Sequence, residues 1–475
     1  MGDDLVLVMT APPEVYRQRR ARLAKELRRP LVIFAGHAPA RNYATNPHVF
    51  RAGSSYLYFG GPPLEHAALL IEPGSDGDAG CTLLRRPAAT DDALWFGEIP
   101  SDAMLAEAAG LSRSRIADAD KLASLIGGRE AGSVVPPCSD TLAQVARLGL
   151  TPAGEDELRA IVNLRLIKDE HELAALRRAA EVTIAGHRAA LAATRPGRRE
   201  ADVAAAFLAV LHRHECQPSF SPIITIRGEV LHGHGHPHIM PDGALLLCDA
   251  GAEEPGGYAG DITRTWPVGG RWTPIQRQLY EAVLRALNTA TAACVPGARF
   301  RDVHDLSARV ICEGLVAADL LRGAATELAA RTAHALFFPH GLGHLIGLDV
   351  HDMEDFGDLA GYAPGRTRRK EFGSRFLRLD RDLAPGMTLT VEPGIYLVPA
   401  IWASDELVRP LADVVNRPRV DALLQQRFGG IRIEHTICVR DLEAGGPEIL
   451  SAALPTDADE IAALVGAGVP GLTSS

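Results

Sequence analysis

Along the first third of the chain the apolar positions switch repeatedly between helical and strand spacing. Residues 12–28 read as a basic amphipathic helix opened by Pro12 and Pro13. The continuous apolar run from Leu31 to Gly36 predicts a buried strand. Tyr56–Phe59, Ala67–Ile71 and Thr82–Arg85 predict three more, with Gly, Pro and Asp turn residues between them. Asp102–Ala109 and Asp118–Ile126 read as helices, each starting on an aspartate, a favoured residue at a helix start. Strands alternating with helices make an α/β domain of about 150 residues.

The pattern changes near Leu164. Asp169–Ala193 carries Leu173, Leu176, Ala180 and Ile184 at helical spacing and is closed by Arg-Pro-Gly-Arg. Glu200–Leu211, Pro274–Cys294 and Phe300–Val316 read as further helices. Strand-like segments lie at Ile223–Ile226, Leu245–Cys248, Ile262–Trp266, Thr388–Val391 and Ile431–Val439. This is an α+β pattern. The boundary is placed near residue 160, giving an α/β N-terminal domain over 1–160 and an α+β domain over 161–475. The polar stretches 354–386 and 397–428 exceed ordinary loop lengths and read as lids or rims. Residues 466–475 read as a frayed tail, and no tandem repeat or low-complexity segment is visible.

A chain of 475 residues accommodates two or three domains, each with a sizeable core. Hydrophobic content of 47% and charged content of 23% are those of a soluble globular protein. A net charge of −10 and a pI of 5.9 argue against nucleic acid as a main partner. No apolar run approaches the ~20 residues that span a bilayer, and the acidic N-terminus does not resemble a secretory signal. The seven cysteines are scattered, odd in number and never in C-x-x-C spacing, so a cytoplasmic, reducing environment with free thiols is expected.

The chemistry concentrates between His340 and Asp352, H-G-L-G-H-L-I-G-L-D-V-H-D. Imidazoles ligate metals or transfer protons near neutral pH, and the glycines bring backbone close to a ligand. Alone, the stretch also fits a His-rich surface loop. Carboxylates elsewhere change the odds. Leu245–Asp249 ends an apolar strand on an acid, and the return strand of the same hairpin starts beside Asp261. An unpaired Asp249 after three leucines and a cysteine would be costly. Alternation puts Thr388, Thr390 and Glu392 on one strand face, and Arg432, Glu434 and Thr436 on another. Two aspartates and two glutamates in one partly dry site would repel unless some were protonated or cations were present. Two divalent cations cancel that charge, and carboxylates with one imidazole suit Mn, Co, Fe or Zn over Ca. Paired metals activate water, so a dinuclear hydrolase follows.

The ordered segments V-L-H (230–232), D-A-G (249–251), G-D-I-T-R-T (260–265), H-G-L-G-H (340–344), L-D-V-H-D (348–352), V-E-P-G (391–394) and I-R-I-E (431–434) resemble the pita-bread metallopeptidases, in the aminopeptidase P and prolidase branch. F-R-A-G-S-S-Y-L-Y-F-G-G (50–61) and L-W-F-G (94–97) resemble that branch's N-terminal domain, which methionine aminopeptidase lacks. The resemblance implies a pita-bread catalytic domain and an Xaa-Pro aminopeptidase acting on proline-containing peptides through a metal-bridging hydroxide. It implies two divalent ions, Mn2+ by family expectation, with Co2+, Zn2+ and Fe2+ as alternatives, and a homodimer or homotetramer. Asp249, Asp261, His344, Glu392 and Glu434 would be ligands, Asp261 and Glu434 bridging. His232, His340 and His351 would line the substrate site, with His351 at the scissile carbonyl. Glu392 would also manage the proton of the bridging water. Arg432 would orient carboxylates or meet the substrate's carboxyl end, its fixed fork suiting either role.

Three departures from the family pattern stand out. The turn Glu253-Glu-Pro-Gly-Gly257 is one residue longer than is usual in the family, His435 replaces an acid and should face away from the metals, and His234, His236 and His238 should form an exposed substrate rim. Rival readings are an Xaa-Pro dipeptidase, favoured by the 397–428 stretch, and a metal-free binding protein on the same fold. The second would be expected to have lost ligands that are all present. A creatine amidinohydrolase relative and a nucleotide site at G-L-G-H-L-I-G are weaker still.

Overall fold

In the N-terminal region the apolar runs at Leu31–Phe34 and Ala68–Ile71 become strands. The computed structural model describes residues 7–467 apart from 44, 88, 90, 234, 442 and 444, so His234 and most of the expected tail lie outside the described residues. The chain divides into two units, Met1–Leu166 and Ile167–Ser475. The first is built on β1 (Leu31–Phe34), β2 (Ala68–Ile71), β3 (Cys81–Arg85), β4 (Ile116–Asp118), β5 (Gly132–Val134) and β6 (Thr151–Pro152). They form one sheet in the order β4-β3-β2-β1-β5-β6. Fully buried β1 pairs antiparallel with β2 and parallel with β5.

Two expectations fail in this unit. Tyr56–Phe59 is not a strand, because Ser54–Tyr58 is a short helix burying Ser55, Tyr56 and Tyr58. A four-residue apolar run carries no period long enough to separate the two. The helix expected from Asp118 begins only at Leu122, after β4 and a 3-10 turn over Ala119–Lys121. At Asp102 the cap is instead Ser101, whose side chain accepts the Met104 N–H.

The second unit adds β7 (Gln217–Pro218), β8 (Ile223–Thr225), β9 (Leu245–Ala250), β10 (Ala252–Glu253), β11 (Ile262–Pro267), β12 (Thr388–Val391), β13 (Gly394–Tyr396), β14 (Gly430–Arg432), β15 (His435–Cys438) and β16 (Glu448–Ile449). These make small sheets β11-β9-β8, β12-β15-β16, β13-β14 and β10-β7. Helix Glu170–Ala193 pairs with Glu200–Arg213 and packs on β9 and β11. Helix Pro274–Ala293 pairs with Phe300–Ala317 and packs on β12 and β15. This is the expected α+β architecture. No helix among the described residues is long and apolar enough to cross a membrane.

The two halves repeat each other. Both helix pairs turn through a Pro-Gly whose glycine, Gly197 or Gly297, has φ of +80° or +83°. The Gly197 N–H bonds Met240 O and the Gly297 N–H bonds Leu383 O, each at 2.8 Å. Runs of equal length then lead from Met240 to Asp249 along β9 and from Leu383 to Glu392 along β12. Sequence inspection finds no repeat because little beyond Pro-Gly and the terminal carboxylate survives in the side chains, while the backbone path is retained.

Glycines set the helix crossings. A Cβ on Gly186 would lie 2.6 Å from the Phe207 ring, and one on Gly314 would lie 2.3 Å from Ala282 Cβ. Gly186→Val should therefore overpack the first helix pair and lower unfolding stability by about 1–3 kcal/mol. Urea denaturation checks this, and an unchanged midpoint would contradict it.

Candidate active site

Proline breaks the ladder where the acids emerge. β12 pairs with β15, Val391 opposite His435, and β13 pairs with β14, Gly394 opposite Arg432. Between these pairings Pro393 has no N–H to offer. The single strand expected over 431–439 is consequently two, and Glu392 and Glu434 fall in the gap. Glu434 N–H turns aside to Thr263 O at 3.1 Å, and Thr263 Oγ1 donates to Glu434 Oε2 at 2.7 Å. Asp249 stands near the end of β9 opposite Thr263, and Asp261 immediately precedes β11. The long Glu-Glu-Pro-Gly-Gly turn is closed by Glu254 and Tyr258 backbone bonding at 3.0 Å, with Gly257 at φ +95°.

The histidine loop lies along β12. Thr390 N–H bonds His344 O at 2.9 Å, and Glu392 N–H bonds Leu342 O at 2.8 Å. A Cβ on Gly343 would lie 1.9 Å from Thr390 O, so this approach requires glycine. His344 Nδ1 donates to Leu345 O at 3.0 Å, which leaves the Nε2 lone pair facing the acids. Nε2 is 3.4 Å from Asp261 Oδ2 and 3.7 Å from Glu392 Oε1.

One cavity of about 650 Å³ is lined by Asp249, Asp261, His344, Glu392 and Glu434, and also by His232, His340, His351 and Arg432. Asp261, His344 and Glu434 each offer a ligand atom within 4.8 Å of the others, and all three are buried. Burial pushes the Asp261 carboxyl well up, helped by Asp249, and pushes Glu434 well up, helped by Asp261 and Glu392. Burial raises Glu392 to about 7, against the pull of His344 and Arg432. Asp261 Oδ1 is buried with no hydrogen-bond partner among the described residues. Crowded acids, an orphaned carboxylate oxygen and an imidazole lone pair make a donor set that fits divalent cations.

Arg432 and His340 are engaged within the wall. Arg432 Nη2 binds Asp249, Nη1 donates to Tyr396 OH at 2.9 Å and Nε to Thr263 Oγ1 at 3.2 Å. Tyr396 OH and His340 Nε2 are 2.8 Å apart, and His340 Nδ1 is 2.8 Å from Gly341 O. The consistent polarity has Tyr396 donating to Nε2 and Nδ1–H donating to the carbonyl. Burial, then Arg432, lowers the His340 pKa to about 3, so the ring is neutral. His340 lines the cavity, with both of its nitrogens occupied.

His351 remains open. Its ring meets His344 edge-to-face with centroids 4.2 Å apart, and its Nδ1 lies 3.3 Å from Glu354 Oε2. Burial and then His344 lower its pKa. Burial opposes ionisation of Glu354, but the hydrogen bonds and charges of His351 and Arg378 hold it down at about 2. His232 is exposed on a turn at the mouth. Phe376 and Arg378 bring the 354–386 stretch to the wall, whereas no lining residue comes from 397–428. His236 and His238 do not form the expected rim. Both are half-buried, His236 bonded to Ile224 O at 3.1 Å and His238 to Glu200 at 2.9 Å. His435 is buried against Ser451 at 2.8 Å. Tyr396, Thr263, Glu354 and Arg378 were missed, since only Glu354, three residues after His351, carries a local signal.

Comparison with known proteins gives a consistent picture. The sequence model of metallopeptidase family M24 matches residues 174–441, and that of the aminopeptidase P N-terminal domain matches 16–134. The Xaa-Pro aminopeptidase of Escherichia coli is 32% identical, the match covering 95% of this chain and 97% of the relative. The Xaa-Pro dipeptidase of Rattus norvegicus is 30% identical over 96% of this chain and 94% of its own. The structure of Pseudomonas aeruginosa aminopeptidase PepP superposes with a TM-score of 0.76 at 28% identity, covering 97% of this chain and 99% of that one. Zn-substituted Escherichia coli aminopeptidase P in complex with product gives 0.76 at 29% identity, covering 96% and 98%.

With Glu392 near 7 and two further carboxyls raised, ion binding at pH 6 must displace protons. Titrating metal-free protein with Mn2+ in two buffers of different ionisation enthalpy should show release of about one proton or more per chain. Equal heats in both buffers would refute it.

Proposed function

Because the chain belongs to metallopeptidase family M24, we infer that it is an Xaa-Pro aminopeptidase. It is a metal-dependent exopeptidase that hydrolyses the bond between an N-terminal residue and a penultimate proline. The observation that carries this reading is the buried Asp261, His344 and Glu434 cluster sharing a cavity with His351 and His232. The match of the N-terminal unit to the aminopeptidase P N-terminal domain supports it.

Asp249, Asp261, His344, Glu392 and Glu434 would hold two divalent ions. Mn2+ is our choice among the ions that suit carboxylates with one imidazole. When bound, the ions supply Lewis-acid activation of the scissile carbonyl and of the attacking water. Glu392 would take the proton of the attacking water and pass it to the leaving prolyl nitrogen as the C–N bond breaks. A bond into proline has no amide N–H to grip, so recognition falls to the carbonyl, the ring and the free amine. His351, whose Nδ1–H is held by Glu354, presents Nε2 to the reacting carbonyl. With Nε2 protonated from solvent before the reaction, the ring faces the ionised Glu354 and donates to developing oxyanion charge without giving up that proton. Arg432 orients Asp249, and His340 braces Tyr396. His232 closes the substrate side at the mouth.

The seven free cysteines support a cytoplasmic location. Exposed Leu94 and Trp95 offer apolar surface for a homodimer or homotetramer. The dipeptidase reading draws on the rodent relatives and differs only in what may follow the proline.

His344→Ala should lose metal by elemental analysis, whereas His351→Ala should keep metal and lose about 100-fold or more in kcat. Equal metal loss in both variants would overturn the division of roles. Xaa-Pro-Xaa tripeptides should be cleaved, and cleavage of Xaa-Pro dipeptides alone would establish the rival.

A further inference from the structure

A buried ion pair lies just outside the cavity. Lys168 Nζ is 2.7 Å from Asp352 Oδ2, with the side chains 2% and 1% exposed. Neither residue lines the cavity. So dry a pair is poor evidence for stability, since apolar residues of similar volume generally pack as well. Its connections point elsewhere. Asp352 directly follows His351, and its N–H donates to Leu345 O at 2.9 Å. That same carbonyl accepts His344 Nδ1–H at 3.0 Å. Asp352 Oδ1 accepts the Asp349 N–H at 3.4 Å. A Cβ on Gly347 would lie 2.4 Å from Asp352 Oδ2, so the loop is folded directly over the carboxylate.

The loop is also tied to the strands that carry the acids. Lys168 N–H donates to Gly386 O at 2.9 Å, at the foot of β12 and Glu392. Gly347 O accepts the Ala259 N–H at 2.9 Å, two residues before Asp261. The pair thus stands where three ligand-bearing segments meet. An aliphatic filler would occupy the same volume but could neither receive the Asp349 N–H nor fix a direction between helix start and loop.

We propose that Lys168 and Asp352 are positioning residues whose ion pair sets the fold of loop 344–352, and through it the edge-to-face placement of His344 and His351. The proposal rests on the roles given above to those two histidines. Lys168→Met alone should destabilise the protein by leaving a buried carboxylate unpaired. The double variant Lys168→Met/Asp352→Leu should recover the wild-type unfolding midpoint. It should still lose ~10–100-fold in kcat on an Xaa-Pro-Xaa peptide, with KM within about threefold. A double variant that regains both stability and kcat overturns the proposal. Should the double variant not fold, Asp352→Asn, unchanged in size, decides. Its kcat should fall about tenfold at unchanged KM, and a wild-type kcat overturns the proposal. If the unaltered protein cleaves no Xaa-Pro peptide, the functional reading is at fault. The pair is then tested by Mn2+ affinity, expected ~10-fold weaker in Asp352→Asn, and unchanged affinity overturns it.

Discussion

Four carboxylates lining one cavity are the constraint around which the catalytic unit is arranged. Taken from water without compensation, such charges repel and are driven to protonate. The chain answers partly with its own groups. Arg432, fully buried, lies between Asp249, Thr263 and Tyr396, and Thr263 donates to Glu434. Asp261 is left with an oxygen that no described side chain satisfies. The remaining negative potential, with the His344 lone pair aimed into it, is what makes the cavity a cation site.

Two interruptions in otherwise regular structure mark the place where the glutamates emerge. The duplicated helix pair and strand bring Asp249 and Glu392 to equivalent places. A proline on one strand and the sideways bond of Glu434 N–H to Thr263 on the other open the ladder between β12–β15 and β13–β14. The register is the same on both sides of the break, so Glu392 and Glu434 lie opposite one another and Arg432 shares their face. The break frees the Glu434 N–H to bond Thr263 O.

Local chemistry made part of this readable in the one-dimensional chain. Asp249 stands out because it closes an apolar strand, and the glycines around His340 and His344 announce close backbone approach. The fold class followed from the change of period near Leu164. Where a signal was too short to carry a period, as at Tyr56–Phe59, the strand assignment failed. It failed too at 431–439, where the break depends on a proline in the partner strand. His340 and His351 look alike in sequence, yet one has both nitrogens occupied and the other faces the cavity with only Glu354 behind it.

The sequence by itself determined the chemical inventory and the order of the elements, because the acids and histidines sit in short motifs whose composition packing alone does not explain, while the set of five candidate ligands came from the resemblance those motifs carry. Only the tertiary structure decided how those residues are held. The Arg432–Tyr396–His340 relay, the Lys168–Asp352 pair and the removal of His236 and His238 to structural bonds all join residues far apart along the chain. Hydrogen bonds and ion pairs depend on distance in space, and in this chain only the fold brings these partners together.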